Sequence, residues 1–337
     1  MLAKDIKLKA AQLDYDSCGI IPAVPFDEYK RYLDERVQTF PESKEVYERM
    51  YSFVNIPEEA KSIIVCIRRY NKYKVPAGLD KWVGKNYLFD GRMPYSHEFR
   101  DKTEFEMYLK TVGINVIECP ISVRWAAAKA GLGKFGSNNF IYDPKHGSYL
   151  YVYTWVVDKV LDYDETPDDY LLPQCGDHCR KCIEACPTKA MKGSLSMNMP
   201  RCAAFLSSNS RLGTIGDETT REQMGQLLYG CDACQDACPL NRDKFNEEET
   251  FPLLDRYEQL LRPENILEMD DKTYLDVLNP RFGYAGPEGM WLWKCNALRI
   301  MINSGDAAYH STIKQYRGHE DERLREIAEW GCEKLGL

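Results

Sequence analysis

The sequence predicts a mixed α/β (α+β) fold built in three parts. Three observations lead there. Short apolar runs alternate with helix-period segments up to about residue 165. Eight of the thirteen cysteines fall between Cys175 and Cys238. The segment after about residue 245 is patterned as helices. Unbroken or alternating apolar runs read as strands, and apolar residues three or four apart read as helices.

In the first part, helical spacing covers Ala3–Leu13, Phe26–Thr39, Thr103–Val112 and Val123–Ala130. Ser17–Pro22, Ser62–Ile67 and Ile114–Ile117 read as strands. Phe140–Tyr142 and Ser148–Val157 read as paired strands, joined by the turn Asp143-Pro144-Lys145-His146-Gly147. Asp162–Asp169, acidic and carrying a proline, reads as a linker. The expected domains are therefore 1–165, 166–245 and 246–337. In the third, Trp291–Ile302 is a helix stopped by Asn303-Ser304-Gly305-Asp306. A second helix follows, then a polar break at 317–321. The last helix, Glu322–Leu335, sets Leu324, Ile327 and Ala328 on one face. This looks like a single HEAT-type repeat; no second copy supports a solenoid.

The cysteine block carries the chemistry. Its order is Cys175, Cys179, Cys182, Cys186-Pro187, then Cys202, then Cys231, Cys234, Cys238-Pro239. A 4Fe–4S cluster takes four thiolates, and in two-cluster ferredoxins the cysteine before the proline ligates the other cluster. One cluster is then expected on Cys175, Cys179, Cys182 and Cys238, the other on Cys202, Cys231, Cys234 and Cys186. Cys175 and Cys179 enclose three residues rather than two, which a one-residue bulge absorbs. Zinc also uses paired C-x2-C units but does not need a Cys-Pro in each run. A disulfide framework needs an oxidising compartment, and the cysteine count is odd. Cys18, Cys66, Cys295 and Cys332 read as small core hydrophobes; Cys119 reads as either core or a pocket thiol.

The chain has 337 residues and a net charge of −8. From Asn246 onward there are 11 Lys and Arg against 18 Asp and Glu. That balance gives phosphate-backbone binding no support. No apolar run approaches the roughly 18 residues of a membrane span, and cytosol is the expected compartment for free thiolates. Gly131-Leu132-Gly133-Lys134-Phe135-Gly136 fits G-x-G-x-x-G, but a helix precedes it and a strand follows. That is the reverse of a dinucleotide site.

Taken together, these segments resemble the epoxyqueuosine reductase family, which is related to the reductive dehalogenases. The resemblance runs through Ala127–Gly133 to Asn138, Gly147-Ser148-Tyr149, Cys182–Thr188, Arg201-Cys202 with Phe205-Leu206, Tyr229–Asn241, Asn296-Ala297-Leu298 and Asn303–Asp306. It implies a nitroreductase-like cobalamin-binding domain, a ferredoxin-like domain with two 4Fe–4S clusters, and a helical HEAT-like end. It also implies electrons drawn from a ferredoxin or flavodoxin, since cobalt chemistry needs low-potential electrons and clusters span potentials down to about −700 mV. The cofactor-binding residues it implies are Cys119, Arg124, Gly131, Gly133, Lys134, Gly136, Ser137 and Asn138. No D-x-H-x-x-G lower-ligand motif surrounds any of the five histidines.

Two departures stand out. Where the family carries a proton-donating aspartate, alignment on Pro120 places Ile117. Glu118 replaces it only if the register shifts by one. The segment Gly84–Phe99, with Tyr87, Asp90, Arg92, Tyr95 and His97, is longer than the family's. Tyr87, Tyr95, His97 and Glu118 are accordingly the catalytic candidates. With the acidic C-terminal part, these departures lead to an expected cobalamin- and iron–sulfur-dependent reductase acting on a small molecule rather than tRNA. A genuine epoxyqueuosine reductase on tRNA, and an electron carrier or corrinoid activator, are the alternatives. Oligomeric state is open.

Overall fold

The structure is a computed structural model and describes residues 1–89, 92–175, 178–213, 215–246 and 248–337. Asp90 lies outside the described residues, as do Gly176 and Asp177 between the first two cluster cysteines.

The first part is built on a four-stranded antiparallel sheet in the order β1 (Ser17–Pro22), β2 (Ser62–Arg69), β6 (Leu150–Val157), β3 (Val116–Ile117). Ile63 to Ile67 are wholly buried. Successive side chains on a strand face opposite ways, and both faces of β2 are covered. Ile63 and Val65 pack with Trp125, Ala126 and Ala128 of the helix Val123–Lys129. Ile64 and Cys66 pack with Ile6 of the helix Leu2–Gln12 and with Phe105 and Leu109 of the helix His97–Thr111.

Two expectations are corrected here. The helix before β3 starts six residues earlier than its apolar spacing suggested. Ser96 caps it by accepting the Phe99 N–H at 3.1 Å, a polar signal that apolar periodicity misses. The strands flanking the turn at 143–147 do not pair with each other. Ile141–Tyr142 (β5) pairs with Lys134–Phe135 (β4), while β6 runs between β2 and β3, Ile64 facing Trp155. Eight apolar-rich residues suit the middle of a sheet better than a short hairpin arm.

In the third part the helix Met290–Ser304 is apolar nearly all round, with Leu292, Trp293, Leu298 and Ile302 buried, so it forms the centre of its helical unit. It ends at Gly305 in the left-handed conformation, φ 66°. The helix Glu322–Leu335 packs on it with Leu324, Ile327 and Ala328, as expected. The same core takes in Tyr70, Tyr73, Leu79, Val83, Leu88 and Phe89. The long segment after β2 therefore wedges the helical unit against the sheet and the cysteine block.

Candidate functional site

The cysteine block folds as two related halves. The short helices Lys181–Ala185 and Ala233–Asp236 pack on each other, each followed by Cys-Pro. All thirteen cysteines are free thiols. Their mutual electrostatics sort them into two groups, because only near neighbours raise one another's pKa. Burial, then Cys238, Cys175 and Cys179, push the Cys182 thiol up to about 11. Burial pushes Cys231 up to about 12, with Cys202 and Cys186 adding to it. Cys234 is raised by burial and then by Cys231, Cys202, Cys182 and Cys186. One group gathers around Cys182 and the other around Cys231, and Cys234 feels members of both. Crowded thiols that repel one another's charge suit positive iron, which removes the repulsion.

Buried polar side chains hold these loops to the sheet. Asn241, three residues past Cys238, donates from Nδ2 to Ser148 Oγ at 2.9 Å and accepts the Ser148 N–H at 2.9 Å. Gln235 donates from Nε2 to the same hydroxyl at 2.9 Å. Gly147 has φ 67°, and a Cβ there would overlap Asn241 Oδ1. The Gly-Ser-Tyr segment and the Cys-Pro-Leu-Asn segment are thus two sides of one joint.

The second group opens onto a cavity of about 330 Å3, within about 1130 Å3 of atom-free space that includes its open mouth. Cys186, Cys202, Cys231 and Cys234 all line it. Phe140, Met191, Met197, Met199 and Phe205 make its walls apolar, while Arg124, Asn138, Asn139 and Ser208 add polar groups. Cys175, Cys179, Cys182 and Cys238 are not among its lining residues.

Of the four catalytic candidates, Tyr87 lines this cavity and the other three do not. Burial holds its hydroxyl well above the usual phenol range, with Ser208 as hydrogen-bond partner. Glu118 is exposed at the end of β3, and Ile117 packs partly buried against the N-terminal core. His97 is exposed, its Nδ1 2.7 Å from Arg100. Tyr95 is packed into the C-terminal core, its hydroxyl buried near Tyr257.

The expected cofactor residues divide as well. Arg124 lines the cavity, donating to the Asn139 carbonyl at 3.0 Å with its guanidinium 4.6 Å from the Phe140 ring centroid. Asn138 lines it too, donating from Nδ2 to Tyr142 Oη at 2.8 Å and to the Cys234 carbonyl at 3.1 Å. Gly131, Gly133 and Lys134 line a different hollow, of about 620 Å3, beside Pro239 and Arg242, where Lys134 pairs with Asp169 at 3.1 Å. Gly133 and Gly136 are packing glycines: a Cβ on either would stand 2.6 Å from Ile141 or from the Tyr142 ring. Ser137 is buried against Ser194 Oγ at 2.8 Å. Cys119 contacts the Asn55 carbonyl, and burial and Glu59 raise its thiol, which keeps it protonated. Sequence reasoning missed Asn139, Ser208 and Tyr284, all on the cavity wall. Asn139 stood beside the motif asparagine, whereas nothing local marks Ser208 or Tyr284.

An α/β scaffold that sets two four-thiol groups in series, the second opening on a cavity, is that of an iron–sulfur oxidoreductase. The 4Fe-4S double cluster binding domain family matches residues 174–241. Epoxyqueuosine reductase of Staphylococcus aureus is 30% identical over 359 aligned residues, covering 99% of this chain and 89% of that protein. The Bacillus subtilis enzyme is 32% identical over 64% of this chain and 54% of its own length. A selenomethionine-labelled epoxyqueuosine reductase superposes with TM-score 0.78 at 23% identity, over 99% of this chain and 90% of that one. An epoxyqueuosine reductase solved with an epoxyqueuosine-modified tRNA-Tyr stem loop gives TM-score 0.77 at 23% identity, over 100% and 90%.

The chain belongs to the epoxyqueuosine reductase family. The double-cluster match gives it 4Fe–4S clusters as cofactors. Eight cysteines lie within the matched segment, and the apolar cavity that four of them line carries a buried, unpartnered donor, Asn139 Nδ2, which suits a cofactor with acceptor groups on its edge. No helix among the described residues is long and apolar enough to cross a membrane. The expectation of a small-molecule substrate in place of tRNA is overturned by the near full-length match to epoxyqueuosine reductases and by the relative solved with a tRNA stem loop. The error was physical. Net charge is a sum over the molecule, whereas phosphate contacts need only a few local cations. Arg124 is exposed on the cavity wall, and Arg92 is exposed with its guanidinium 4.8 Å from the ring centroid of Tyr284 on the same wall.

Proposed function

We propose that this protein is an epoxyqueuosine reductase acting on tRNA, removing the epoxide oxygen of the modified base. Deoxygenating an epoxide to an alkene consumes two electrons and two protons and releases water. Cobalamin, when bound, supplies the low-potential cobalt chemistry. The observation that carries the reading is that Cys186, Cys202, Cys231 and Cys234 all lie on the wall of the cavity that would take cobalamin, at whose open mouth the base would meet it. The other four thiols of the block lie away from the cavity. Cys175, Cys179, Cys182 and Cys238 would hold the cluster that takes electrons from the donor, and Cys186, Cys202, Cys231 and Cys234 the one that would pass them to the cavity.

Protons need a donor that stays protonated at neutral pH and reaches the cavity. Tyr87 meets both conditions and takes the place of the aspartate that Ile117 replaces. Arg92 and Arg124 at the cavity meet the tRNA backbone. The division at residues 165 and 245 belongs to the same reading: a cofactor domain, a conducting domain, and a helical unit that braces them.

The test is direct. Protein reconstituted with iron, sulfide and cobalamin, given a low-potential reductant and tRNA carrying epoxyqueuosine, is expected to yield queuosine on nucleoside analysis by mass spectrometry. No conversion by protein that holds both clusters and cobalamin would overturn the proposal.

A further inference from the structure

Asn139 is the residue of the cavity whose chemistry is unfinished. It is 7% exposed and lies in the left-handed region, φ 65°. Asparagine tolerates that conformation better than most residues. Three contacts fix it. Its backbone N–H donates to the Gly136 carbonyl at 3.0 Å. Its own carbonyl accepts from Arg124 Nη1 at 3.0 Å. Its side-chain Oδ1 accepts from Arg36 Nη2 at 2.9 Å.

The last contact decides the direction of the amide. Arginine only donates, so it must face the oxygen and not the nitrogen of the carboxamide. Arg36 is itself held: its Nε donates to the Leu195 carbonyl at 2.6 Å, and its guanidinium lies 5.5 Å from the Tyr47 ring centroid. A flip of the Asn139 amide would set donor against donor. The Nδ2 group is therefore committed to the other side, where it is buried and meets no acceptor in the protein. Buried donors are almost always satisfied, and an exception on a cavity wall points to a ligand atom.

We propose that Asn139, oriented by Arg36, is a cobalamin-positioning residue whose Nδ2 donates to a carboxamide oxygen on the corrin rim. The inference rests on the cobalamin-dependent reading. The other polar groups of the wall are already engaged. Asn138 Nδ2 holds Tyr142 and the Cys234 carbonyl, and Arg124 holds the Asn139 carbonyl. Phe140, Met197 and Met199 line the same cavity. A flat macrocycle rimmed with carboxamides suits apolar walls with a fixed donor at the edge. Arg36 comes from the helix Asp27–Thr39, and Leu195 lies between β7 (Met191–Gly193) and β8 (Ser196–Met197) of the cysteine block. The donor is thus set by both domains that enclose the cofactor.

The test is cobalamin affinity, read by the visible spectrum of the bound cofactor on cluster-loaded full-length protein. N139D keeps the oxygen that Arg36 needs but replaces the donor by a carboxylate oxygen. Its Kd for cobalamin is expected to rise about tenfold or more, as loss of one buried hydrogen bond implies. Iron content should stay at the wild-type value. N139G suits the left-handed backbone and is expected to show the same weakening, which guards against a folding artefact in the aspartate variant. A Kd within about twofold of wild type in both variants would overturn the proposal. So would unchanged cobalamin affinity accompanied by a shifted potential of the second cluster, which would make Nδ2 a donor to cluster sulfur instead. Wild-type protein that binds no cobalamin would sink the cofactor reading itself, a result distinguishable from either.

Discussion

Tyr87 and Gly230 occupy each other's space: the Tyr87 ring lies where a Cβ on Gly230 would stand. Gly230 has φ 82° and immediately precedes Cys231. The ring continues edge-on against Tyr229, centroids 5.0 Å apart, and Tyr229 stacks on Trp293 at 4.5 Å. Gly84 N–H donates to the Tyr229 carbonyl at 2.9 Å and Lys85 N–H to Asp232 Oδ2 at 2.7 Å. The segment that carries Tyr87 is therefore laid directly along the loop that carries Cys231.

Substituting Gly230 by alanine should break this joint. The new methyl meets the Tyr87 ring, and the left-handed backbone adds a cost of about 1–3 kcal/mol. We expect G230A to lose the second cluster while keeping the first, so that iron falls from about eight per chain to about four. Iron and sulfide analysis on anaerobically purified protein reads this. Full iron content with normal activity would show that the loop shifts freely.

The two thiol groups predict separable losses. C182S should remove the first cluster and leave the cavity lined by its own four thiols. C202S should remove the cluster at the cavity and leave the first. Each variant is expected to retain about four irons, and their electron paramagnetic resonance signals in the reduced state should differ. If both variants show the same residual signal, the partition is wrong.

Much of this was legible because it is local. The cysteine order pointed to a double-cluster segment, since thiolate spacing reflects the loop around a cube of iron and sulfur. The apolar runs at Ser62–Ile67 and Ser148–Val157 marked the two central strands, though not their partners, because β6 finds its neighbours 39 to 95 residues away. What stayed hidden was tertiary. Nothing local distinguishes Tyr87, which reaches the cavity, from Tyr95, which sinks into the C-terminal core. Glu118 looked like a replacement acid because it adjoins Ile117, but the strand end leaves it in solvent. The acidic C-terminal count misled because burial and position, not number, decide which charges a tRNA meets.

Removing the Tyr87 hydroxyl should separate chemistry from binding. Y87F keeps the ring that packs on Gly230 and Tyr229, so clusters and cobalamin should remain. Turnover should fall by about 10²–10⁴, the usual contribution of a positioned acid. Because burial holds this hydroxyl above the ordinary phenol range, it stays protonated, and the wild-type rate should show no falling limb from it between about pH 6 and 9. Wild-type turnover in Y87F would move the proton to water or another group.

Binding of tRNA should depend on few cations and hence only modestly on salt. Each phosphate contact steepens the log–log dependence of affinity on salt by about 0.7 to 0.9. Arg92 rests on Tyr284 at the cavity, so R92A should weaken tRNA binding and lower that slope by about one contact's worth. It should leave cobalamin affinity and iron content unchanged, because neither cofactor needs that side chain. R92K restores the charge but not the planar stacking on the tyrosine ring. It should therefore recover the slope and only part of the affinity. An R92A slope equal to wild type would place the tRNA backbone elsewhere on the molecule, and the same titration on R124A would then show whether the cavity rim meets phosphate at all.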